Sequence, residues 1–87
     1  MYVILVYDIN EKRVGKVYKV IKQYLNWIQN SVFEGSITEK KLNELKDRIN
    51  SMTKANEDSV VYIKTTRKQD IFYNVIGLEK NKYEKIL

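Results

Sequence analysis

Histidine, cysteine and proline are all absent from this chain of 87 residues. Lacking the first two, it can hold no disulfide, thiolate nucleophile, Ser-His or Cys-His machinery, or zinc site of the usual kinds. Any catalysis has to draw on carboxylates, lysine, tyrosine, hydroxyl groups or a hard metal ion. Long apolar runs are missing too, and nothing approaches the roughly 20 residues of a membrane span. The apolar opening, residues 1–7 (MYVILVY), is short and lacks the basic leader and small-residue cleavage site of a signal peptide. The cytoplasm is therefore the expected location, with no membrane partner. No internal repeat, low-complexity tract or Pro/Gly linker divides the chain.

What is present is basic. Lysine and arginine number 16 against 11 acidic residues, for a net charge of +5 and a pI near 9.4. That balance favours polyanionic partners through counterion release, although a lysine-rich proteome produces it as well. With 44% hydrophobic and 31% charged residues the composition is that of an ordinary globular domain. At this length there is one domain with a modest core, and part of its stability is expected from burying a face against a second copy.

Residues 2–7 form a continuous apolar run that suits a strand buried on both faces near the centre of a sheet. Asp8 ends the run, and residues 8–11 (DINE) read as a turn into a helix. Over 12–25, Val14, Val17, Tyr18, Ile21 and Leu25 share one helical face, while Lys12, Lys16, Lys19 and Lys22 occupy the other. Residues 26–29 and 31–37 are rich in aromatic and β-branched types and read as two short strands, with Asn30 and Gly35 as irregular points. A second helix is expected over 38–52 on Leu42, Leu45, Ile49 and Met52, capped by Thr38 or by a Ser36–Glu39 capping box. Strands follow at 59–65 and 71–76, then a charged tail over 79–87.

The order is β-α-β-β-α-β with one extra strand, an α+β, ferredoxin-like arrangement over residues 1–78. Right-handed crossovers place both helices on one face of an antiparallel sheet, with the first strand inside it. The extra strand has no partner in a four-stranded sheet, and an exposed apolar edge is a liability for a monomer. Pairing it with a second subunit gives a closed two-fold homodimer. Ile71, Tyr73 and Val75 on that strand, with Phe33 and Glu34, are the expected dimer interface.

Asp8 is the candidate of most chemical interest, because sites in α/β sheets gather where a strand ends and a helix begins. A carboxylate suits Mg²⁺ or Mn²⁺, which prefer hard oxygen ligands. One carboxylate is too few to fix an ion, so Asp8 would share it with its symmetry mate across a dimer axis. The structural alternative is that Asp8 closes the turn by an Asx hydrogen bond. Lys12 and Arg13 follow at the helix start, where backbone N–H groups favour phosphate and arginine can clamp it bidentately; the alternative is an exposed basic turn. Lys16, Lys19, Lys22, Arg67 and Lys68 add charge against a nucleic-acid backbone, or simply a solvated surface. Ser31 and Glu34 point to opposite faces, Glu34 as a metal ligand or an interface hydrogen-bonding group. Trp27, Gln29 and Phe33 are expected to pack the sheet and dimer rather than stack on bases, since the longer aromatic motif of RNA-recognition domains is missing.

Taken in order, residues 2–9 (YVILVYDI), the Lys12–Arg13 pair, 29–35 (QNSVFEG) and 57–60 (EDSV) resemble the CRISPR-associated protein two family, the small partner of the CRISPR integrase. The resemblance implies a ferredoxin-like homodimer whose terminal strand is exchanged onto the partner's sheet. It also implies assembly with the integrase in spacer acquisition, and metal-dependent endonuclease activity on single-stranded RNA or double-stranded DNA. The family's catalytic and metal-binding aspartate matches Asp8, its basic residues match Lys12 and Arg13, and its second motif matches Ser31 and Phe33. The chain departs from the pattern in a short insertion before the basic pair, and in Lys-Arg where arginines are frequent. Without histidine or a second acidic group in the motif, no general base is evident and catalysis is expected to be weak. Other readings remain open: a non-catalytic basic scaffold bridging integrase dimers on duplex DNA, a toxin-like ribonuclease, or a small-molecule regulatory module.

Overall fold

The computed structural model describes residues 1–67. The expected strand over 71–76 with Ile71, Tyr73 and Val75, the basic Lys68, the domain boundary at 78 and the tail over 79–87 lie outside the described residues. Within them the order is β1 (Tyr2–Asp8), α1 (Glu11–Ile21), β2 (Asn26–Gln29), β3 (Val32–Ser36), α2 (Glu39–Met52) and β4 (Ser59–Thr65). The four strands form one antiparallel sheet in the order β2-β3-β1-β4. This is the expected α+β, ferredoxin-like arrangement, with β1 inside the sheet and two crossover helices.

Period-two alternation decides which strand residues meet the helices. Val3, Leu5 and Tyr7 of β1, with Phe33 opposite Leu5 on β3, form the buried core together with Val17, Val20 and Ile21 of α1 and Leu42, Leu45 and Ile49 of α2. Val60 and Tyr62 of β4 pack against the same cluster. Phe33 has its ring 5.5 Å from Tyr18 and 6.0 Å from Tyr7, and Trp27 meets Tyr18 edge-on at 6.4 Å. Such aromatic pairs add about 0.5–1.5 kcal/mol beyond the area they bury.

Phe33, expected to pack the sheet and the dimer, is a core residue of the single chain. Its register opposite Leu5 turns it towards the helices. Glu34 faces the other way but is also buried, its Oε2 accepting a 2.8 Å hydrogen bond from the Tyr2 hydroxyl.

The second face of the sheet is covered unevenly. The apolar run of β1 leads one to expect burial on both faces. Yet Val6 is 42% exposed, and its β4 neighbours Val61 and Ile63 are 61% and 59% exposed. Val6 pairs with Val61 and Ile4 with Ile63, so these side chains form one apolar patch on the face away from the helices.

Helix boundaries follow their caps. Asn10 starts α1 and accepts from the Lys12 N–H, while Thr38 starts α2 and accepts from the Lys41 N–H at 3.1 Å. Ser36 lies in β3, so the alternative capping box is not used. α1 ends at Ile21, short of the expected 25, and the chain continues in tight turns that keep Leu25 buried. Of the two expected irregular points, Asn30 is one, with φ of 47°. Gly35 instead sits in the ladder opposite Val3, and the register shift falls in β2 between Trp27 and Gln29.

No helix among the described residues is long and apolar enough to cross a membrane.

Candidate functional site

The carboxyl end of β1 gathers most of the residues singled out in the sequence. Asp8 is the last residue of that strand, exposed, and pairs in the ladder with Ser59 at the start of β4. On the other side the Tyr7 N–H donates to the Ser31 carbonyl at 3.1 Å, which brings the Asn30–Ser31 turn to the same end of the sheet. The first turn of α1 begins three residues after Asp8, with Lys12 exposed on it.

The turn-closing role considered for Asp8 belongs to Asn10. The Asn10 side chain accepts from the Lys12 N–H at 2.9 Å, and its carbonyl accepts from the Arg13 and Val14 N–H groups. The Asp8 carboxylate makes no hydrogen bond or ion pair among the described residues. It is a carboxylate held at the exposed end of an interior strand, with no side-chain contact among the described residues.

Arg13 has a different neighbourhood from the one expected. Its Nε donates to Asp58 Oδ2 at 2.8 Å, and its Nη2 donates to Asp58 Oδ1 at 3.0 Å and Glu57 Oε1 at 2.8 Å. The guanidinium fork proposed for phosphate is engaged by two carboxylates. The Asp58 side chain is 1% exposed and that of Arg13 17%, so the pair lies largely out of water. Asp58 also accepts from the backbone N–H groups of Asn10 and Lys54, each at 2.8 Å. The Arg13 guanidinium, then these two backbone donors, hold the Asp58 carboxyl well below the usual carboxylate range, against the opposing effect of its burial. Hydrogen bonds to Asp58, then Glu57, push Arg13 above its ordinary value.

Tyr7 is the phenol nearest Asp8 in sequence, but it points to the helices. Burial, then the neighbouring Tyr18, push its hydroxyl pKa up, so it serves the core. Lys12, Lys16, Lys19 and Lys22 are all exposed along α1, with no carboxylate paired to them among the described residues. Lys22 alone has a second contact, its Nζ 5.7 Å from the Tyr18 ring centre. Arg67 is exposed beyond β4. Ser31 is half-buried in the turn, and Trp27 donates from Nε1 to the Asn30 carbonyl at 2.9 Å. Gln29 has a buried Oε1 with no hydrogen-bond partner among the described residues.

Among the described residues no three acidic side chains come together as a metal cage. The hard-oxygen chemistry of Asp8 therefore fits Mg²⁺ or Mn²⁺ only when a second ligand set joins it.

The residues that sequence reasoning missed are Asn10, Glu57 and Asp58. An asparagine before a helix is a capping signal in its own right. The EDSV block marked the other two, but gave no hint of their partner.

Comparison with known proteins places these features in a family context. The family described as CRISPR associated protein Cas2 matches residues 1–71. A protein of Dictyoglomus turgidum named CRISPR-associated endoribonuclease Cas2 is 47% identical over 89 residues, covering 100% of both chains. A protein of the same name from Methanocaldococcus jannaschii is 40% identical, covering 100% of this chain and 76% of that one. Among solved structures, one described as the crystal structure of cas2 superposes with a TM-score of 0.85 at 42% identity, covering 92% of this chain and 90% of the other. Streptococcus pyogenes Cas2 superposes with a TM-score of 0.75 at 27% identity, covering 88% and 100%.

Proposed function

The chain belongs to the CRISPR associated protein Cas2 family, and from that starting point we propose that it is a homodimeric, metal-dependent endonuclease in which Asp8 of each copy is the catalytic carboxylate. The observation that carries this reading is Asp8 itself: exposed at the end of an interior strand, relieved of the capping role by Asn10, and with a carboxylate that makes no hydrogen bond or ion pair among the described residues.

Two copies supply what one lacks. The patch of Val6, Val61 and Ile63 shares its sheet face with Ile4 and borders the Asp8–Ser59 pair. Covering it with a second copy removes apolar surface from water at about 25 cal/mol per Å² and brings two Asp8 carboxylates to one axis. These carboxylates would hold Mg²⁺ or Mn²⁺. When bound, such a cation supplies Lewis-acid charge against a phosphodiester. The chain's own part is to grip and orient the nucleic acid. Lys12, Lys16 and Lys19 present a one-sided row of ammonium groups to the phosphate backbone, and the Ser31 hydroxyl offers a hydrogen bond close to the strand end. The chain has no histidine to act as general base, which favours slow turnover. Single-stranded RNA and double-stranded DNA both present the chemistry the row would bind.

The test is cleavage of matched single-stranded RNA and double-stranded DNA in Mg²⁺ by wild type and Asp8→Asn. The expected result is cleavage by wild type only, with binding kept by the variant. Cleavage by a rigorously purified Asp8→Asn protein would overturn the assignment.

The unpaired lysine row favours a second reading, a scaffold that holds duplex DNA and spaces CRISPR integrase dimers in spacer acquisition. An integration assay with the integrase and Asp8→Asn separates the two. Undiminished integration leaves the scaffold role and makes the carboxylate dispensable to it.

A further inference from the structure

Asp58 carries more hydrogen bonds than any other side chain near the end of β1, yet nothing in the proposed activity uses it. Its two oxygens accept from Arg13 Nε and Nη2 and from the Asn10 and Lys54 backbone N–H groups. Four donors fill the roughly four lone-pair positions of a carboxylate. Asp58 therefore has nothing left to offer a cation or a phosphate, and its work is mechanical.

Two of its ties bear on Asp8. Asn10 is two residues downstream, with only the buried Ile9 between. Ser59, the residue after Asp58, is the ladder partner of Asp8. The backbone carrying Asp8 is thus pinned on one side by the β1–β4 ladder and just beyond by the Asn10–Asp58 bond. Arg13 braces Asp58 from the first turn of α1, and Glu57 braces Arg13. A short connection held at both ends has little freedom left in its torsions, and those torsions aim the Asp8 side chain.

We propose that Asp58, clamped by Arg13, is the positioning residue for Asp8, and that Arg13 acts as a strut within the chain instead of as a phosphate clamp. The inference rests on the reading of Asp8 as the catalytic carboxylate. A displacement of about 1 Å at a catalytic group can cost about 100-fold in rate, so the effect of loosening this tie is large enough to measure.

The experiment uses the full-length chain as wild type, Asp58→Asn, Arg13→Lys and Asp8→Asn, at a temperature where thermal melts show each to be folded. Three quantities are read: kcat and KM for cleavage in Mg²⁺, broadening of the Asp8 amide resonance by Mn²⁺ alone, and the Asp8 and Ile9 amide shifts without metal. Asp58→Asn is expected to lower kcat by about 10- to 100-fold with KM changed less than about twofold. It should also move the two amide shifts and weaken the Mn²⁺ broadening. Arg13→Lys, which leaves the Asn10 and Lys54 bonds to Asp58 in place, should do the same to a smaller degree, and it carries the measurement if Asp58→Asn does not fold. A folded Asp58→Asn or Arg13→Lys protein with wild-type kcat and unmoved amides, merely melting earlier, overturns the inference. If Asp8→Asn cleaves like wild type, the Asp8 reading fails instead, and the metal-free amide shifts still decide whether Asp58 positions that residue.

Discussion

Arg13 and Asp58 stand 45 residues apart in the sequence and meet through two parallel hydrogen bonds of 2.8 and 3.0 Å. The pair ties the first turn of α1 to the segment entering β4, across the end of the sheet where Asp8 is exposed. A fork-to-fork contact of this kind is stronger and more directional than a lysine could make, and its burial shields it from salt.

Acid should weaken this tie in a defined window. The Asp58 carboxyl is held below its ordinary range in the folded chain, so it contributes stability in full above the unfolded value, about pH 4. That contribution shrinks as pH falls from there towards the depressed folded value. Arg13 stays protonated throughout and adds no pH dependence of its own. Urea melts of wild type and Asp58→Asn between pH 6 and pH 2 should show a wild-type advantage that is constant down to about pH 4 and declines below it. A gap that stays constant over the whole range would mean the carboxyl is not depressed.

Phe33→Ala should cost about 3–5 kcal/mol, the range for removing a large buried aromatic side chain. Phe33 is fully buried against Tyr7 and Tyr18 inside a single chain. Denaturant unfolding followed by far-UV circular dichroism measures the loss. A cost below about 1 kcal/mol, with only the oligomeric state altered, would return Phe33 to an interface role.

The apolar patch on the second sheet face makes the opposite prediction. Val61→Lys combined with Ile63→Lys touches no residue of the helix-facing core. Substitutions of this kind on a free surface typically stay within about 0.5 kcal/mol. Sedimentation velocity should show the wild type as a dimer and the double variant as a monomer. A double variant that sediments as the wild type does would exclude this face from the contact.

Lys16→Ala and Lys19→Ala should each weaken binding to any duplex or single strand alike. Each should also reduce the slope of log affinity against log salt by about 1, as expected for one lost phosphate contact. Fluorescence anisotropy at several salt concentrations reads both. An unchanged slope would leave the row as plain solvated surface.

Gly15 lies mid-helix in α1, and a Cβ built there meets nothing within 4 Å. Gly15→Ala should therefore stabilise the chain by about 0.5–1 kcal/mol, visible as a raised Tm. If nucleic-acid affinity falls at the same time, a phosphate approaches the helix backbone at this point between Lys12, Lys16 and Lys19.

Much of the fold was legible because periodicity speaks directly about burial. Leu42, Leu45 and Ile49 predict α2 and its buried face, and Thr38, one of the two caps the sequence offers, is its N-cap. The YVILVY run placed β1 inside the sheet. Period-two alternation alone does not say which face of β3 the helices cover, so the sequence leaves Phe33 between sheet packing and dimer contact, and the register opposite Leu5 puts it in the core. α1 was drawn too long because Leu25 stays buried after the helical hydrogen bonds have ended. At the site, Asp8 and the lysines were visible from their types and positions. The Arg13–Asp58 bond was not, since a contact between a helix start and a distant loop leaves no local pattern to read.

The place of β1 between β3 and β4 also has a kinetic meaning. Both of its ladders are long-range, to residues 32–36 and 59–65, so β1 is synthesised before either of the strands that enclose it. During translation its apolar residues wait uncovered until β4 has left the ribosome. Such long-range pairing slows folding and exposes a sticky nascent strand, which ties the folding of β1 to the pace at which its partners are made.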